Sequence, residues 1–266
     1  MASVALPGKS QGIKILTYNI RYNNPQDGPN HWPLRMNKVF HLLNKHQPDI
    51  MGLQEVLSDQ LDDLLKHLPQ YKSIGVGRDD GIDQGEFSPI LYRPDKYELI
   101  RSNTFWLSEN PDQPGSKNWD AALTRIATWA IFKDNVSGKQ FFVINTHFDH
   151  RGKTARLKSA ELIKKLTAQL SGNLPVVLMG DLNTEPAEDP YRTFIHAQPF
   201  TFMDSRPKEN TQGTFCSFQL NMPCKIIDYI FYSPPFSVFH FEVITDNDGT
   251  YYPSDHLPVT AVFQLP

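Results

Sequence analysis

Several apolar runs in this chain end in residues able to bind a cation, move a proton or meet a phosphate. "ILTYNIR" carries Asn19 near its end, "IMGLQE" ends at Glu55, "FFVINTHFDH" at His147 and Asp149, and "VVLMGDLN" at Asp181 and Asn183. "KIIDYIFY" encloses Asp228 in apolar neighbours, and "YYPSDHLPV" sets Asp255 and His256 just ahead of a final apolar run. Taken singly, most have ordinary explanations. An Asn can close a strand by bonding the backbone, a Glu can be solvated, and a lone His can be a satisfied core residue. Asp228 is harder to dismiss, because an unpaired buried carboxylate is costly and calls for a cationic or imidazole partner. Asp181 and Asn183, two apart on an extended segment, project the same way and can reach one phosphate-sized target. The joint set of oxygen ligands, amides and two histidines, without a cysteine-rich cluster, suits a hard cation such as Mg²⁺ or Mn²⁺ rather than structural zinc.

The chain that must position these groups has 266 residues, 39% of them hydrophobic, enough to bury a large core as one domain or two close halves. Seventeen Phe, ten Tyr and four Trp argue against disorder. A net charge of −3 and a pI near 6.3 give no footprint for non-specific duplex binding and leave room only for a local basic groove. Cys216 and Cys224 are too few for a disulfide framework and lack zinc spacing; buried thiols and a single bridge both remain open. No apolar run approaches the roughly 18 residues of a membrane span. "MASVALPGKSQG" lacks the charged start of a signal peptide, though a chain trimmed of one would look the same. Residues 1–11 read as a loose tail and 12–266 as a single domain, expected to be soluble, cytoplasmic by default and monomeric.

Periodicity supplies the elements. "GIKILTYNIR" alternates, with Ile13, Ile15, Thr17 and Asn19 on one face. "PLRMNKVFHLLNKHQPD" spaces Met36, Val39, Phe40 and Leu43 as a helix that stops before Pro48. "DIMGLQEV" is a short strand, and "SDQLDDLLKHLP" a helix capped by Ser58 with a stripe of Leu61, Leu64, Leu65 and Leu68. Further strands are expected near 71–77, 87–92, 97–107, 125–133, 140–147, 175–180, 226–232, 236–244 and 257–264. Helices are expected near 153–170, with Leu162, Leu166 and Leu170 on one side, and near 189–196. Two groups of strands, each with helices, predict two sheets packed face to face with helices outside. Strand-end loops then gather at one edge, where sites are commonly built.

The ordered set "TYNIR", "LQEV", "GEFSPILYRPD", "TRIATW", "NTHFDH", "GDLN", "IDYIF" and "PSDHLPV" resembles the endonuclease/exonuclease/phosphatase superfamily, the pancreatic deoxyribonuclease fold. The likeness covers about residues 13 to 265. It implies a four-layer α/β-sandwich with two mostly antiparallel sheets, and divalent-metal-dependent hydrolysis of phosphate esters with Mg²⁺ or Mn²⁺. By that resemblance Glu55 is the principal metal carboxylate, with Asn19 beside it and Asp255 near the same ion. His256 is the catalytic histidine, oriented by Asp228. Asp181 positions or deprotonates the attacking water, and Asn183 binds the phosphate. His147 is the second histidine; Glu86, six residues before Tyr92 in "EFSPILYRPD", matches the Glu that pairs with it in the deoxyribonuclease pattern. Arg125 is the expected phosphate clamp, since a guanidinium meets two phosphate oxygens at once. Asp149, His150 and Arg156 are placed toward the leaving group, while Trp106 and Trp129 read as core and Trp119 as a rim residue.

Members of this superfamily cleave nucleic acids, sphingomyelin, inositol phosphates and other esters, so the motifs fix chemistry and leave the leaving group open. The loops expected around the site, "RDDGIDQGE", "SENPDQPGSKNWD" and "TDNDGTYYPSD", are mixed or acidic. They lack the Arg/Lys-rich character that grips flanking phosphates. The expected substrate is therefore a compact phosphomonoester or phosphodiester, a small phosphorylated molecule or lipid headgroup, ahead of the alternative of a nuclease. "GEFSPILYR" and "RIATWA" resemble uncharacterised bacterial members, which supply no substrate. "CKIIDYIFY" departs from the Arg-Ile-Asp that many relatives carry, and Lys225 or Ile226 is expected to alter a contact beside Asp228.

Overall fold

The computed structural model describes residues 12–196 and 201–265; the loose tail expected for residues 1–11 lies outside them. Twelve strands and four α-helices, with a short 3-10 helix over Pro25–Asn30, follow one another along the described residues. The first half runs β1 (Ile13–Asn19), α1 (Trp32–His46), β2 (Ile50–Gln54), α2 (Ser58–His67), β3 (Lys72–Ile74), β4 (Ile90–Tyr92), β5 (Tyr97–Trp106) and β6 (Ile126–Asp134). The second runs β7 (Gln140–His147), α3 (Lys153–Ser171), β8 (Val176–Asp181), α4 (Asp189–His196), β9 (Met203–Asp204), β10 (Asp228–Tyr232), β11 (Ser237–Val243) and β12 (Val259–Gln264).

The strands form two six-stranded sheets, ordered β11-β12-β1-β2-β4-β3 and β5-β6-β7-β8-β10-β9. Each has one parallel pair at its centre, β1 with β2 and β7 with β8, and is otherwise antiparallel. Inward-facing side chains such as Ile15, Ile50, Val143, Val177, Met179, Ile230 and Val259 fill the space between the sheets. A second apolar layer joins the first sheet to α1 and α2 through Leu16, Val39, Leu43, Leu53 and Leu64. A third joins the second sheet to α3 and α4 through Phe142, Ile144, Ile163, Leu178, Phe194 and Phe231. Sheet on sheet, flanked by helices on both outer faces, is the four-layer α/β-sandwich that the sequence predicts.

Two predicted details differ. Helix α2 begins at Ser58 itself, so Ser58 does not cap it; the Leu57 N–H before it is satisfied by Gln60 Oε1 at 3.2 Å. On α3 the fully buried line is Ala160, Ile163, Thr167 and Ser171, with Leu162, Leu166 and Leu170 packed at its shoulder.

The central parallel pairs bring distant polar residues together. Their carboxyl ends lie at the same edge of the two sheets, with Asn19 registered against Gln54 and His147 against Asp181. The sheets come close beneath that edge. A Cβ on Gly52 would lie 2.6 Å from the Asn145 side chain. Asn145 itself stitches the layers, accepting from Gln54 Nε2 at 2.6 Å and donating to the Leu53 and Pro89 carbonyls at 2.8 and 2.9 Å. Gly180, just before Asp181, has φ 149° and would put a Cβ 2.0 Å from the Thr146 carbonyl. Only glycine fits there, and it lets β8 deliver Asp181 against β7.

Candidate active site

The carboxyl ends of β2, β7 and β8 and the loops around them converge on a cavity of about 780 Å³. Asp181, at the end of β8 and 1% exposed, is at its centre. One of its oxygens, Oδ1, accepts the Asn183 N–H at 2.8 Å, the turn that closes the "GDLN" segment. The other, Oδ2, accepts from Asn19 Nδ2 at 3.0 Å and lies 3.4 Å from His147 Nε2 and 3.6 Å from His256 Nε2. Asn19 Nδ2 also bonds Glu55 Oε1 at 3.1 Å, so one amide bridges the carboxylates of the two sheets. The Asp181–Asn183 pair that stands exposed in the sequence is thus an acid shared among an amide and two imidazoles.

Asp228 begins β10, directly opposite Asp181 in the antiparallel register. Its Oδ2 is 2.9 Å from His256 Nδ1, which leaves His256 Nε2 facing Asp181. Burial opposes a charged imidazole, but Asp228 and then Asp181 outweigh it and push the His256 pKa up to about 10. Asp181, Asp228 and His256 have oxygen and nitrogen atoms within 4.8 Å of one another, a spacing that could hold a metal ion. The imidazolium itself already supplies the cation between the two carboxylates. Burial first, and then the Asp228 charge, push the Asp181 carboxyl up to about 7.

His147 behaves in the opposite way. Burial and the nearby guanidinia of Arg125 and Arg78 hold its pKa well below the usual histidine value, so it is neutral. Asn183 Nδ2 donates to its Nε2 at 3.1 Å and to the Phe148 carbonyl at 3.1 Å. An acceptor at Nε2 places the proton on Nδ1, which points toward Glu86 Oε2 at 4.0 Å. The expected Glu86–His147 pair is therefore adjacent but longer than a hydrogen bond. Glu86 Oε2 is held instead by Arg78 Nη1 at 2.6 Å, with Arg125 Nη1 at 3.9 Å.

Arg125 is 5% exposed, lines the cavity, and sits 3.8 Å from Asp149 Oδ2. The Nε atoms of Arg125, Arg78 and Arg156 are buried without a hydrogen-bond partner. Asp149 does not line the cavity. Burial raises its pKa, but the backbone N–H groups of Gly152, Leu123 and Arg151 overcome this and hold it at about 2. Its oxygens organise the loops carrying Arg125 and His150. Trp119 is half-buried and Trp106 and Trp129 are buried, and none of the three lines the cavity.

Glu55 follows β2 with φ 58°, a left-handed turn that swings its carboxylate inward. Its Oε2 accepts the Tyr22 N–H at 3.1 Å. Asp255 arrives on the loop before β12. That loop is tied to β1 by Ser254 Oγ donating to the Asn19 carbonyl at 2.8 Å, and by buried Arg35, which donates to the carbonyls of Ile20, Arg21 and Pro253. The guanidinium of Arg21 lies 3.9 Å from Glu55 and 4.0 Å from Asp255. Burial chiefly, with Glu55 adding repulsion, raises the Asp255 pKa. Two carboxylates that repel each other, one of them buried, beside an amide form an all-oxygen donor set that fits a hard divalent cation.

Arg21, Tyr22, Arg78, Phe215 and Lys225 also line the cavity. Sequence reasoning missed Arg78, Arg21, Tyr22 and Phe215 as site residues. Arg78 carried a weak signal, eight residues before Glu86 in an otherwise acidic loop. Phe215 carried none: its ring packs on the His256 imidazole with centroids 4.9 Å apart. Lys225, noted as a departure, is exposed and pairs with Glu185 at 3.8 Å.

Stability should report the His256 charge in metal-free protein. Its folded pKa, about 10, is raised above the ordinary 6.5, so its contribution is fully present below 6.5 and is lost as pH rises through 10. Thermal melts in chelator should show Tm falling by several degrees between pH 7 and pH 10, and Asp228→Asn should flatten that slope. An unchanged slope in the variant would show that Asp228 does not hold the charge.

A sequence profile of the Endonuclease/Exonuclease/phosphatase family matches residues 16–256. The crystal structure of an endonuclease/exonuclease/phosphatase from Bacteroides vulgatus is 43% identical, covers 97% of this chain and 100% of that one, and superposes with a TM-score of 0.91. A mannosyl-6-phosphatase from Bacteroides thetaiotaomicron VPI-5482 is 38% identical over 95% of this chain and 100% of its own, with a TM-score of 0.90. Among curated sequences, the probable RNA exonuclease NGL3 of Saccharomyces cerevisiae is 27% identical over 213 residues, 71% of this chain and 41% of that protein. The chain spans between 30% and 60% of the length of the first curated relatives it matches. It belongs to the endonuclease/exonuclease/phosphatase family, whose members are phosphoester hydrolases and generally depend on a divalent metal.

Proposed function

We propose that this family member is a divalent-metal-dependent phosphomonoesterase acting on a small phosphorylated polyhydroxyl compound such as a sugar phosphate. The observation that carries the reading is the cavity. It is compact, within the usual range for small-molecule sites, with Arg78, Arg125 and Arg156 on its wall and acidic Glu185 and Glu188 among its outer residues. Glu185 pairs with exposed Lys225, so the rim is mixed in charge and lacks the Arg/Lys-rich character that grips the flanking phosphates of a polynucleotide. The likeness to the mannosyl-6-phosphatase over nearly the whole chain supports the same choice.

In this reading Glu55, Asp255 and Asn19 hold Mg²⁺ or Mn²⁺, which supplies Lewis-acid stabilisation of charge on the phosphoryl group. Asp181, with a carboxyl near neutrality, takes a proton from the attacking water while Asn19 fixes the orientation of its oxygen. His256, kept cationic by Asp228, donates to a phosphoryl oxygen and neutralises the charge that builds during in-line attack. Neutral His147, held in one tautomer by Asn183, borders the same oxygens, and Arg125 clamps the phosphate with Arg78 behind it. Asn183 thus acts through His147 as well as toward the phosphate.

A panel of sugar phosphates, nucleoside monophosphates, bis-p-nitrophenyl phosphate and labelled oligonucleotides, each with Mg²⁺ and with Mn²⁺, tests the reading. Sugar phosphates should give a kcat/KM at least about 100-fold above the diesters and oligonucleotides, a difference of about 2.7 kcal/mol. Preferential cleavage of oligonucleotides would replace this reading with that of a nuclease.

A further inference from the structure

The proposed chemistry needs His256 and Asp255 in register with Asp228, yet both lie on a loop outside any strand. Besides the ties to β1 through Ser254 and Arg35, that loop is held by the segment 213–225, closed by a disulfide between Cys216 and Cys224. Cys216 N and Ser217 N both donate to the Asp255 carbonyl, at 2.8 and 3.0 Å, and Leu257 N donates to the Thr214 carbonyl at 2.6 Å. These bonds grip the backbone on both sides of His256, and Phe215 pairs with His256 as an isolated bridge while its ring packs on the imidazole. The same segment reaches the other half of the dyad. Thr214 Oγ1 accepts the N–H groups of Ile227 and Asp228 at 3.1 Å each, and Phe215 and Lys225 exchange backbone bonds at 3.0 and 3.1 Å.

Loop contacts rather than a regular element order the rest of the segment: Phe218 is buried with its ring 5.7 Å from the Arg35 guanidinium, its carbonyl accepts the Tyr252 N–H at 3.0 Å, and Gln219 forms a bridge with Tyr251. Beyond Cys216 the chain turns through Ser217 and Phe218 in left-handed conformations, φ 52° and 68°, which ordinary residues adopt only under constraint. Residues 219, 221, 222 and 223 are exposed and belong to no regular element. The bridge spans only eight residues of separation and joins buried Cys216 to half-buried Cys224. It crosslinks the neck of this excursion, next to the Phe215–Lys225 backbone pair, and so reinforces the part bonded to the active-site loop.

We infer that Phe215 and the Cys216–Cys224 disulfide are positioning elements for the His256–Asp228 pair, and that opening the disulfide slows turnover by loosening that pair. This rests on His256 acting in the hydrolytic step as proposed above. The step is the exchange of the protein disulfide with a dithiol reductant: two electrons and two protons pass to Cys216 and Cys224 as thiols, and the reductant closes into its own disulfide. Freed of the crosslink, residues 217–224 regain conformational freedom and the bonds to Asp255 and Leu257 compete with it. A displacement of about 1 Å at a reacting group is enough to cost on the order of 100-fold in rate. Full activity would then belong to an oxidising compartment, where such a bridge persists, and not to the cytosolic default expected from the sequence.

Two measurements on the full chain test this, comparing oxidised protein, protein reduced with dithiothreitol, and the Cys216→Ser/Cys224→Ser double variant. The first is backbone hydrogen exchange in chelator. Exchange at Cys216, Ser217 and Leu257 should rise about tenfold in the reduced and double-variant proteins, while amides of β7 and β8 keep their protection. The second is hydrolysis of p-nitrophenyl phosphate with Mg²⁺. Reduction should lower kcat about tenfold with KM within about twofold, re-oxidation should restore it, and the double variant should be slow and indifferent to reductant. Phe215→Ala should match the reduced enzyme, with Phe215→Tyr restoring most of the rate. Unchanged exchange and unchanged kcat on reduction would overturn the inference, as would loss of protection throughout β7 and β8, which marks general unfolding. If the oxidised enzyme hydrolyses no phosphomonoester, the proposed function fails while the exchange experiment still decides whether the disulfide holds the loop.

Discussion

Replacing Asp181 by Asn should lower turnover by about 10²–10⁴-fold, the span expected when a positioned proton-transfer group is removed, without lowering the melting temperature at pH 8. The two halves of this result have one cause. Asp181 is buried among Asn19, His147 and His256, and burial together with Asp228 raises its pKa to about 7. The unfolded chain gives up this proton near 3.8 and the folded chain near 7. The folded state is therefore penalised increasingly across that window, and fully above it. An amide of the same shape removes the repulsion with Asp228 and that penalty. It also removes one partner of the His256 charge, so the net gain in stability is modest. A structural residue behaves differently: its isosteric loss reduces stability and activity together. Steady-state kinetics and thermal melts on the same preparations separate the two. A variant that keeps more than a tenth of the wild-type kcat would remove Asp181 from the reaction.

The same contrast explains what could be read from the sequence. Asn19, Glu55, His147, Asp181 and Asp228 are legible because each ends, or sits inside, an apolar run. A polar group placed at a strand end by strong hydrophobic patterning stands out against its surroundings. The parallel pairs β1–β2 and β7–β8 then bring four of these ends to one edge, a consequence of topology that short motifs in order already imply. Arg78 was only faintly legible and Phe215 not at all, for the converse reason. They reside in irregular loops whose course is set by tertiary bonds: Arg78 by its tie to Glu86, and Phe215 by its exchange with Lys225 and His256. The disulfide belongs with them, since two cysteines eight residues apart fit a bridge or two thiols equally until their Cα atoms are placed 4.5 Å apart. The length of the Glu86–His147 approach was equally out of reach, because it depends on Arg78 competing for the same carboxylate oxygen.

Glu55→Gln should abolish the stabilisation that Mg²⁺ or Mn²⁺ gives the wild-type protein. In Gln the side chain keeps its length but only one acceptor oxygen, so it can accept from Tyr22 N–H or from Asn19 Nδ2 and not from both, while the charge is lost. If the ion is held by Glu55 with Asp255 and Asn19, metal at about 100 times its dissociation constant stabilises the wild type by about 2.7 kcal/mol. That corresponds to roughly 5–10 °C in Tm for a chain of this size. In the variant the shift should shrink to about 1 °C or less, and hydrolysis should fall about 10²–10³-fold. Without metal the variant should stay within about 1 kcal/mol of wild type, because relief of the Glu55–Asp255 repulsion offsets the one hydrogen bond that the amide cannot accept. The melts need no substrate, so they test the cation site independently of the proposed phosphomonoesterase activity. A full metal-dependent shift surviving in Glu55→Gln would move the ion to the Asp181–Asp228–His256 cluster. That outcome would require His256 to give up the proton that Asp228 and Asp181 now hold on it, and the Tm of the metal-loaded protein would then lose its dependence on pH between 7 and 10.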